Sequence, residues 1–256
     1  MIICHTHRFI FIKTRKTASS SVEIGLSRAC AGDDVVTPLS VQSGDEALRA
    51  QEGGFGPANW LKDIGEHRSL REWRRLLFRG QRAQRFAPHT TLAELQTLVP
   101  ADTLDSYLKF TLERNPWDRA VSRYFWQKHR WERNGHTGFP TLSEYLRFLE
   151  RDKPYWLSNW GHYTIDGRIA VDRVLRYENL SSELATLQAD LAIGASIALP
   201  ARRAKGGYRS DRLHYSELLS DHDRRLVRRV CAPEIEAFGY RFEPAAPAHP
   251  TGCQSQ

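Results

Sequence analysis

Cysteine is scarce in this 256-residue chain, and its four copies lie scattered at Cys4, Cys30, Cys231 and Cys253. No C-x-x-C spacing occurs, so the sequence suggests neither a zinc site nor a redox pair, and no metal is expected. So few cysteines in so long a chain is the pattern of a reduced, cytoplasmic protein. Long apolar runs are missing too. The N-terminal stretch from Met1 to Arg8 lacks the apolar core of a signal peptide. No segment approaches the roughly 20 apolar residues of a membrane span, so no transmembrane segment is expected. The Walker A pattern G-x-x-x-x-G-K-[ST] is absent, as is any recognisable nucleic-acid-binding motif or internal repeat.

What is present in excess is positive charge. Lys and Arg total 37 against 30 Asp and Glu, a net charge of +7 that calls for an acidic partner: a nucleotide, a polyanion, nucleic acid or a membrane. Most of the cations are arginines, which suit bidentate recognition of phosphate and sulfate, although a genome rich in arginine codons gives the same excess. With 41% hydrophobic and 26% charged residues the chain has the make-up of a folded protein. Its length fits one domain over residues 1–243, in which 33–87 is an irregular insertion or flap; the Pro- and Ala-rich tail, 244–256, is expected to be disordered.

Strand and helix signals alternate. Arg8 to Lys13 is a short apolar run bounded by charge, the pattern of a buried parallel strand. A small, polar and basic loop comes next, then a helix from Val22 to Ala29. Thr91 and Glu94 form a capping box for a helix ending near Pro100, and Thr141 and Glu144 form another for a helix to about Arg151. Tyr107 to Glu113 is a second apolar strand. It runs into Arg114-Asn115-Pro116 and a helix to His129, with Asn115 as cap and Pro116 at the first helical position. Asp166-Gly167 signals a hairpin. A strand over Asp172 to Tyr177 precedes a helix from Ser181 to Ala192, and Ser220 to Phe238 is helical with a break at Pro233. The order implies an α/β layer architecture around a central, mainly parallel sheet flanked by helices.

Two segments carry chemistry. The loop Lys13 to Ser21 sits at a first βα turn, where helix N–H groups and the helix dipole favour an anion. Small residues admit a phosphate to the backbone, Thr17, Ser19, Ser20 and Ser21 add donors, and Lys16 supplies a point charge. A capped, solvated helix start has the same composition. The second segment runs from Phe110 to Tyr124. Arg114 ends a strand and Ser122 lies two turns into the helix after it, so a guanidinium and a hydroxyl can converge beyond the carboxyl end of the sheet, where open α/β sheets bind ligands. An isolated Arg and Ser at such positions more often serve an ion pair and packing.

Taken together, Lys16-Thr17-Ala18-Ser19-Ser20-Ser21 and Arg114-Asn-Pro-x-x-Arg-x-x-Ser122-x-Tyr closely resemble the sulfotransferase superfamily, nearest its carbohydrate-type branch (sulfotransferase family 2) and bacterial relatives. The resemblance implies a P-loop-like α/β sulfotransferase fold and an enzyme that moves a sulfuryl group from 3′-phosphoadenosine 5′-phosphosulfate (PAPS) to a hydroxyl, releasing adenosine 3′,5′-bisphosphate. The family's first loop, usually Pro-Lys-x-Gly-(Ser/Thr)-(Ser/Thr), binds the 5′-phosphosulfate, which assigns Arg15, Lys16, Thr17, Ala18, Ser19, Ser20 and Ser21. Its Arg and Ser, eight residues apart, bind the 3′-phosphate, which assigns Arg114 and Ser122. Lys205-Gly206-Gly207 resembles the loop that closes over the 3′-phosphate and adenine, and Arg176-Tyr-Glu178-Asn-Leu180 a structural Arg-x-Glu-x-Leu segment. Arg15 replaces the usual Pro and Ala18 the usual Gly; a loop needing positive φ at Ala18 would be slightly remodelled.

The resemblance also nominates His89 as the base for the acceptor hydroxyl, a role suited to imidazole near neutral pH. His67, His129 and an acid such as Glu66 are the alternatives. Lys16 would face the bridging oxygen of the departing nucleotide. The acceptor is expected to be a carbohydrate or glycolipid; the chain's tryptophans and tyrosines offer stacking faces for a sugar or an aromatic substrate, though core packing uses most such rings, and the arginines from Arg71 to Arg85 suit an acidic glycan or equally a solvated helix face. A P-loop-type kinase or nucleotide hydrolase, and a non-enzymatic basic module binding nucleotide or nucleic acid, are the rival readings.

Overall fold

Two short apolar strands open the chain, β1 (Ile2–Cys4) and β2 (Phe9–Ile12), and every residue in both is buried. In the computed structural model, which describes residues 1–41, 43–194, 197, 199–200 and 213–243, they form the middle of a five-stranded sheet. After β2 come α1 (Ser19–Ser27), β3 (Val35–Val36), α2 (Asp45–Gln51), α3 (Leu70–Arg79), α4 (Leu92–Leu98), α5 (Ala101–Ser106) and β4 (Leu108–Glu113). The chain continues through α6 (Pro116–Arg133), α7 (Leu142–Asp152), α8 (Trp160–Tyr163), the hairpin β5 (Thr164–Ile165) and β6 (Arg168–Ile169), β7 (Arg173–Arg176), α9 (Leu180–Asp190), α10 (Tyr215–Leu218), α11 (Asp221–Val230) and α12 (Ala232–Phe238). It divides into two compact units, one of Met1–Asn115 with Ser158–Tyr208, the other of Pro116–Leu157 with Arg209–Gln256.

The first unit holds the sheet, in the order β3-β1-β2-β4-β7. β2 pairs in parallel with β4, and β4 with β7. β1 runs antiparallel to both β2 and β3, so β3 shares the direction of β2 and only β1 is reversed. The sheet is therefore mainly parallel, within an α/β fold. Both faces are covered, which is why β2 is apolar at every position rather than alternating. Ile2, Cys4, Phe9, Phe11 and Phe110 pack with Val22 and Leu26 of α1 and Leu184 and Leu187 of α9. Ile3, Ile10 and Ile12 point the other way, against Phe86, Leu92 and Leu95. A one-residue slip of β2 would exchange these two sets, so the register is fixed by both cores at once.

Several boundaries differ from the sequence reading. β1 is three residues long, too short to show a period. Residues 33–87 are not wholly irregular: β3 adds an edge strand, and α2 and α3 are regular helices. α6 runs a turn beyond His129 to Arg133, and α1 begins at Ser19, earlier than Val22. The Thr91 and Thr141 capping boxes form, and the 166–167 turn joins β5 to β6. Among the described residues no helix is long and apolar enough to cross a membrane. The 244–256 tail lies outside the described residues.

The second unit is helical. Trp117, Val121 and Tyr124 of α6 share a core with Leu146 and Leu149 of α7 and with Leu226 and Val227 of α11. Arg119 is buried in it with Glu234, 3.0 Å away, as its ionic partner.

Candidate functional site

The three parallel strands β2, β4 and β7 end on the same edge of the sheet, and the segments that leave them form the candidate site. After β2, Lys13 turns inward. Its Nζ lies 2.6 Å from Oε2 of Glu23 on α1, and Arg49 of α2 reaches Oε1 of the same carboxylate at 3.1 Å. The Met1 amino group lies 3.0 Å from Oε1. Glu23 is fully buried, and burial alone would raise its pKa. The charges of Lys13, the amino terminus and Arg49 outweigh that and hold it at about 2. This ionic cluster ties β2, α1 and α2 together directly beneath the loop.

The loop itself is pinned by hydroxyls. Thr14 donates to the Leu112 carbonyl of β4 at 2.6 Å and shares a hydrogen bond with the Thr17 hydroxyl at 2.9 Å. Ser19 donates back to the Thr14 carbonyl at 2.6 Å. Lys16 and Ala18 both take left-handed backbone conformations, each with φ near 62°. For a residue with a Cβ that conformation costs about 1–2 kcal/mol, so the position where the resembled family has Gly does require positive φ here. Alternation of left-handed residues along a turn points successive N–H groups into one concavity, a form that binds anions. Among the described residues the amides of Thr17, Ala18, Ser19 and Ser20 donate to no protein acceptor, and they stand at the N-terminus of the nine-residue α1. Thr17, Ser19, Ser20 and Ser21 are buried, so their donors are held in place rather than solvated.

Arg114 comes after β4 and meets this loop. Its Nη1 donates to the Lys16 carbonyl at 3.2 Å, and the guanidinium lies over the Tyr177 ring, 4.1 Å from the centroid. Tyr177 comes after β7, so the segment that the sequence marks as structural supplies the face on which Arg114 rests. Glu178 accepts the Asn115 amide at 2.6 Å and shapes the exit of β4. Ser122 lies on α6 in the second unit and is half-buried. Lys205, Gly206 and Gly207 lie outside the described residues.

His89 joins the loop from the α4 side. Its Nδ1 lies 2.9 Å from the Lys13 carbonyl. A carbonyl only accepts, so Nδ1 carries the proton and Nε2 keeps a lone pair. Among the described residues Nε2 has no hydrogen-bond partner. Burial first, then the Lys13 charge, lower the His89 pKa well below 6.5; the hydrogen bond to the Lys13 carbonyl opposes this, and Arg15 and His162 add to it. A neutral imidazole with a free Nε2 is what a general base requires. The other candidates are occupied elsewhere. His67 is buried, with Nδ1 3.0 Å from the Asp63 and Ile64 carbonyls and Nε2 accepting the Ala83 amide at 3.1 Å. Glu66 pairs with Arg85 at 3.4 Å and accepts the Asp63 amide. His129 lies on α6 in the second unit.

Two residues of this site had no sequence signal. Asn159 clasps the peptide of Arg15, accepting its amide at 3.0 Å and donating to its carbonyl at 3.1 Å. His162 accepts from the Arg15 guanidinium, Nη1 to Nε2 2.6 Å, while its Nδ1 faces the Asn159 carbonyl at 3.1 Å. Its ring meets that of His89 edge-on at 6.2 Å between centroids. Arg15 is thus held on both its backbone and its side chain, in the position where the resembled family carries Pro. Both partners stand more than half the chain away from Arg15 in sequence, beyond the reach of any local pattern.

Away from this site, Cys4 and Cys30 do come together despite their separation: a ligand atom from each and from Asp34 lie within 4.8 Å of one another. Asp34 accepts the His5 amide at 2.6 Å and the Ala31 amide at 2.7 Å, with the Cys4 thiol at 3.4 Å, so it fastens the turn between α1 and β3. The hydrogen bond with Cys4, then burial, push the Cys30 thiol far up, and it stays protonated.

No known family's sequence profile matches the chain, and no solved structure matches it. An uncharacterized protein of Archaeoglobus fulgidus is 33% identical to it over 102 residues, a stretch that covers 39% of this chain and 79% of the archaeal one. With a third of positions identical over most of the archaeal protein's length, the chain belongs to one family with that protein.

Proposed function

We propose that this protein is a sulfotransferase of P-loop-like fold that takes a sulfuryl group from PAPS and delivers it to a hydroxyl of a carbohydrate or glycolipid. The observation that carries the reading is the loop from Lys16 to Ser20. The amides of Thr17 to Ser20 lack protein acceptors among the described residues, the backbone is bent into an anion-binding form at some cost in strain, and Arg114 is docked on the Lys16 carbonyl. The donor set fits a phosphosulfate: backbone N–H groups and hydroxyls for several oxygens, with one cation for the oxygen that gains charge. Thr17, Ser19, Ser20 and Ser21 would hold the phosphosulfate; the resemblance assigns Arg114, and separately Ser122 of the second unit, to the 3′-phosphate, and the segment of Lys205 to Gly207 to the nucleotide end.

When bound, the nucleotide supplies an activated sulfuryl group whose S–O bond to the phosphate breaks as the acceptor oxygen bonds to sulfur. The protein's share is positioning and charge. Lys16 neutralises the charge that grows on the departing phosphate oxygen. His89 takes the acceptor's proton on Nε2, held to the right tautomer by the Lys13 carbonyl. His89→Ala is expected to lower kcat by roughly 10²–10⁴-fold while the dissociation constant for adenosine 3′,5′-bisphosphate stays unchanged; loss of nucleotide binding would remove the base role. Because the His89 pKa is depressed, the base is already in its active form through neutral pH. The rate should therefore be flat there and fall only on the acid side of the ordinary imidazole range, and an inflection at or above 6.5 would contradict the assignment.

Thermal shift tests the donor. Adenosine 3′,5′-bisphosphate at a hundred times its Kd should stabilise the fold by about 2.7 kcal/mol and raise the Tm by roughly 5–10 °C. Stabilisation by ATP–Mg²⁺ alone would point instead to a kinase or hydrolase, and by DNA alone to a nucleic-acid-binding module.

A further inference from the structure

α3 is a well-made helix that touches little of its own protein. Ser69 and Glu72 close a capping box at its start, Gly80 ends it in a left-handed conformation, and none of its ten residues is buried. Leu70, Leu77 and Phe78 are 85%, 74% and 79% exposed. At about 100° per residue the three exposed apolar side chains, Leu70, Leu77 and Phe78, fall in one arc with Arg74 among them; Arg71, Arg75 and Arg79 flank it on one side, and Trp73 and the half-buried Leu76 lie on the other, toward the protein. The single acid, Glu72, is held by Lys62 at 2.7 Å. Among the described residues Arg68, Arg71, Arg74, Arg75 and Arg79 have no ionic partner. Trp73 donates to the His67 carbonyl at 3.0 Å, which anchors the helix to the first unit and leaves its outer face free.

We propose that α3 is an interfacial helix that seats the protein on an anionic lipid bilayer. Three occupants compete for such a face. An acidic glycan would neutralise the arginines and leave Leu70, Leu77 and Phe78 in water. A second copy joined through the same face would set these arginines against their own counterparts. An anionic bilayer satisfies both sets: the apolar side chains enter the acyl boundary, while the arginines reach sideways to the lipid phosphates on their long stems. The proposal does not depend on sulfuryl transfer, because α3 is read from its own exposure and charge. If both readings hold, an acceptor carried on a lipid is the substrate class that this seating would favour.

The test is sedimentation of the full chain with vesicles of phosphatidylcholine alone or mixed with phosphatidylglycerol. Binding is expected only to the mixed vesicles and should weaken as salt is raised. Each of Arg74→Gln and Arg75→Gln should weaken it about fivefold, and each of Leu77→Ser and Phe78→Ser about tenfold. All four side chains are exposed, so unchanged Tm values would show that the fold is intact. Three results overturn the proposal: no binding to anionic vesicles; binding that responds to the arginine variants but not to Leu77→Ser and Phe78→Ser and is displaced by a sulfated polysaccharide, which marks a glycan site; or a dimer in solution that Leu77→Ser dissociates while vesicle binding is unchanged, which marks a contact between copies.

Discussion

Replacing Lys16 with alanine should, under the proposed sulfuryl transfer, lower turnover about a thousandfold while leaving the Tm within about 2 °C of the parent. The two halves of that expectation come from different atoms. Lys16 contributes its carbonyl to the fold, where it accepts from Arg114, and its left-handed backbone to the loop; alanine retains both. What is lost is the ammonium, and a charge that acts chiefly on the leaving oxygen affects kcat more than binding. Turnover within tenfold of the parent would remove Lys16 from the chemistry. A large fall in Tm would mean that the side chain is structural.

Replacing Glu23 with glutamine should have the opposite profile: a loss of about 3–5 kcal/mol of stability, or a Tm lower by roughly 10 °C. Glutamine nearly matches the volume but leaves Lys13 and Arg49 as buried cations, with Glu46, 3.0 Å from Arg49, as the remaining acid. The same cluster sets an acid limit. Glu23 titrates at about 2 in the folded protein and near the ordinary carboxylate value when unfolded. Its contribution is thus complete above about pH 4.5 and is lost as the pH falls toward 2. Calorimetry across that window checks the sign: a parent protein whose stability is flat from about pH 5 to pH 2, or a glutamine variant that is as stable as the parent, would show that Glu23 does not hold the cluster.

Much of the sheet was legible because the relevant signals are local. Phe9–Ile12 is an apolar run bounded by charge, Leu108–Glu113 is a half-apolar strand ending at the Asn115-Pro116 helix start, and Thr91, Thr141 and the 166–167 turn punctuate the chain with capping and turn chemistry. β1 and β3 escaped because three and two residues carry no period; their pairing is decided by neighbours. The site divides in the same way. The hydroxyl-rich loop and Arg114 stand next to strand ends and could be read. Lys13, which looks from sequence like part of an anion loop, instead turns inward because α1 presents Glu23 beneath it. Asn159, His162 and Tyr177 act through contacts between residues remote in sequence, and no spacing rule reaches them.

The clasp of Asn159 on the Arg15 peptide closes a loop of 144 residues. Contacts so distant form late, because the chain entropy of bringing the ends together must be overcome before the contact returns anything. During synthesis, from N-terminus to C-terminus, the first strands and α1 emerge long before Asn159 exists to hold Arg15. The loop from Lys13 to Ser21 therefore gains this clasp only once residue 159 has been made, and a ribosome-bound chain that stops short of it carries the loop without the hold on Arg15.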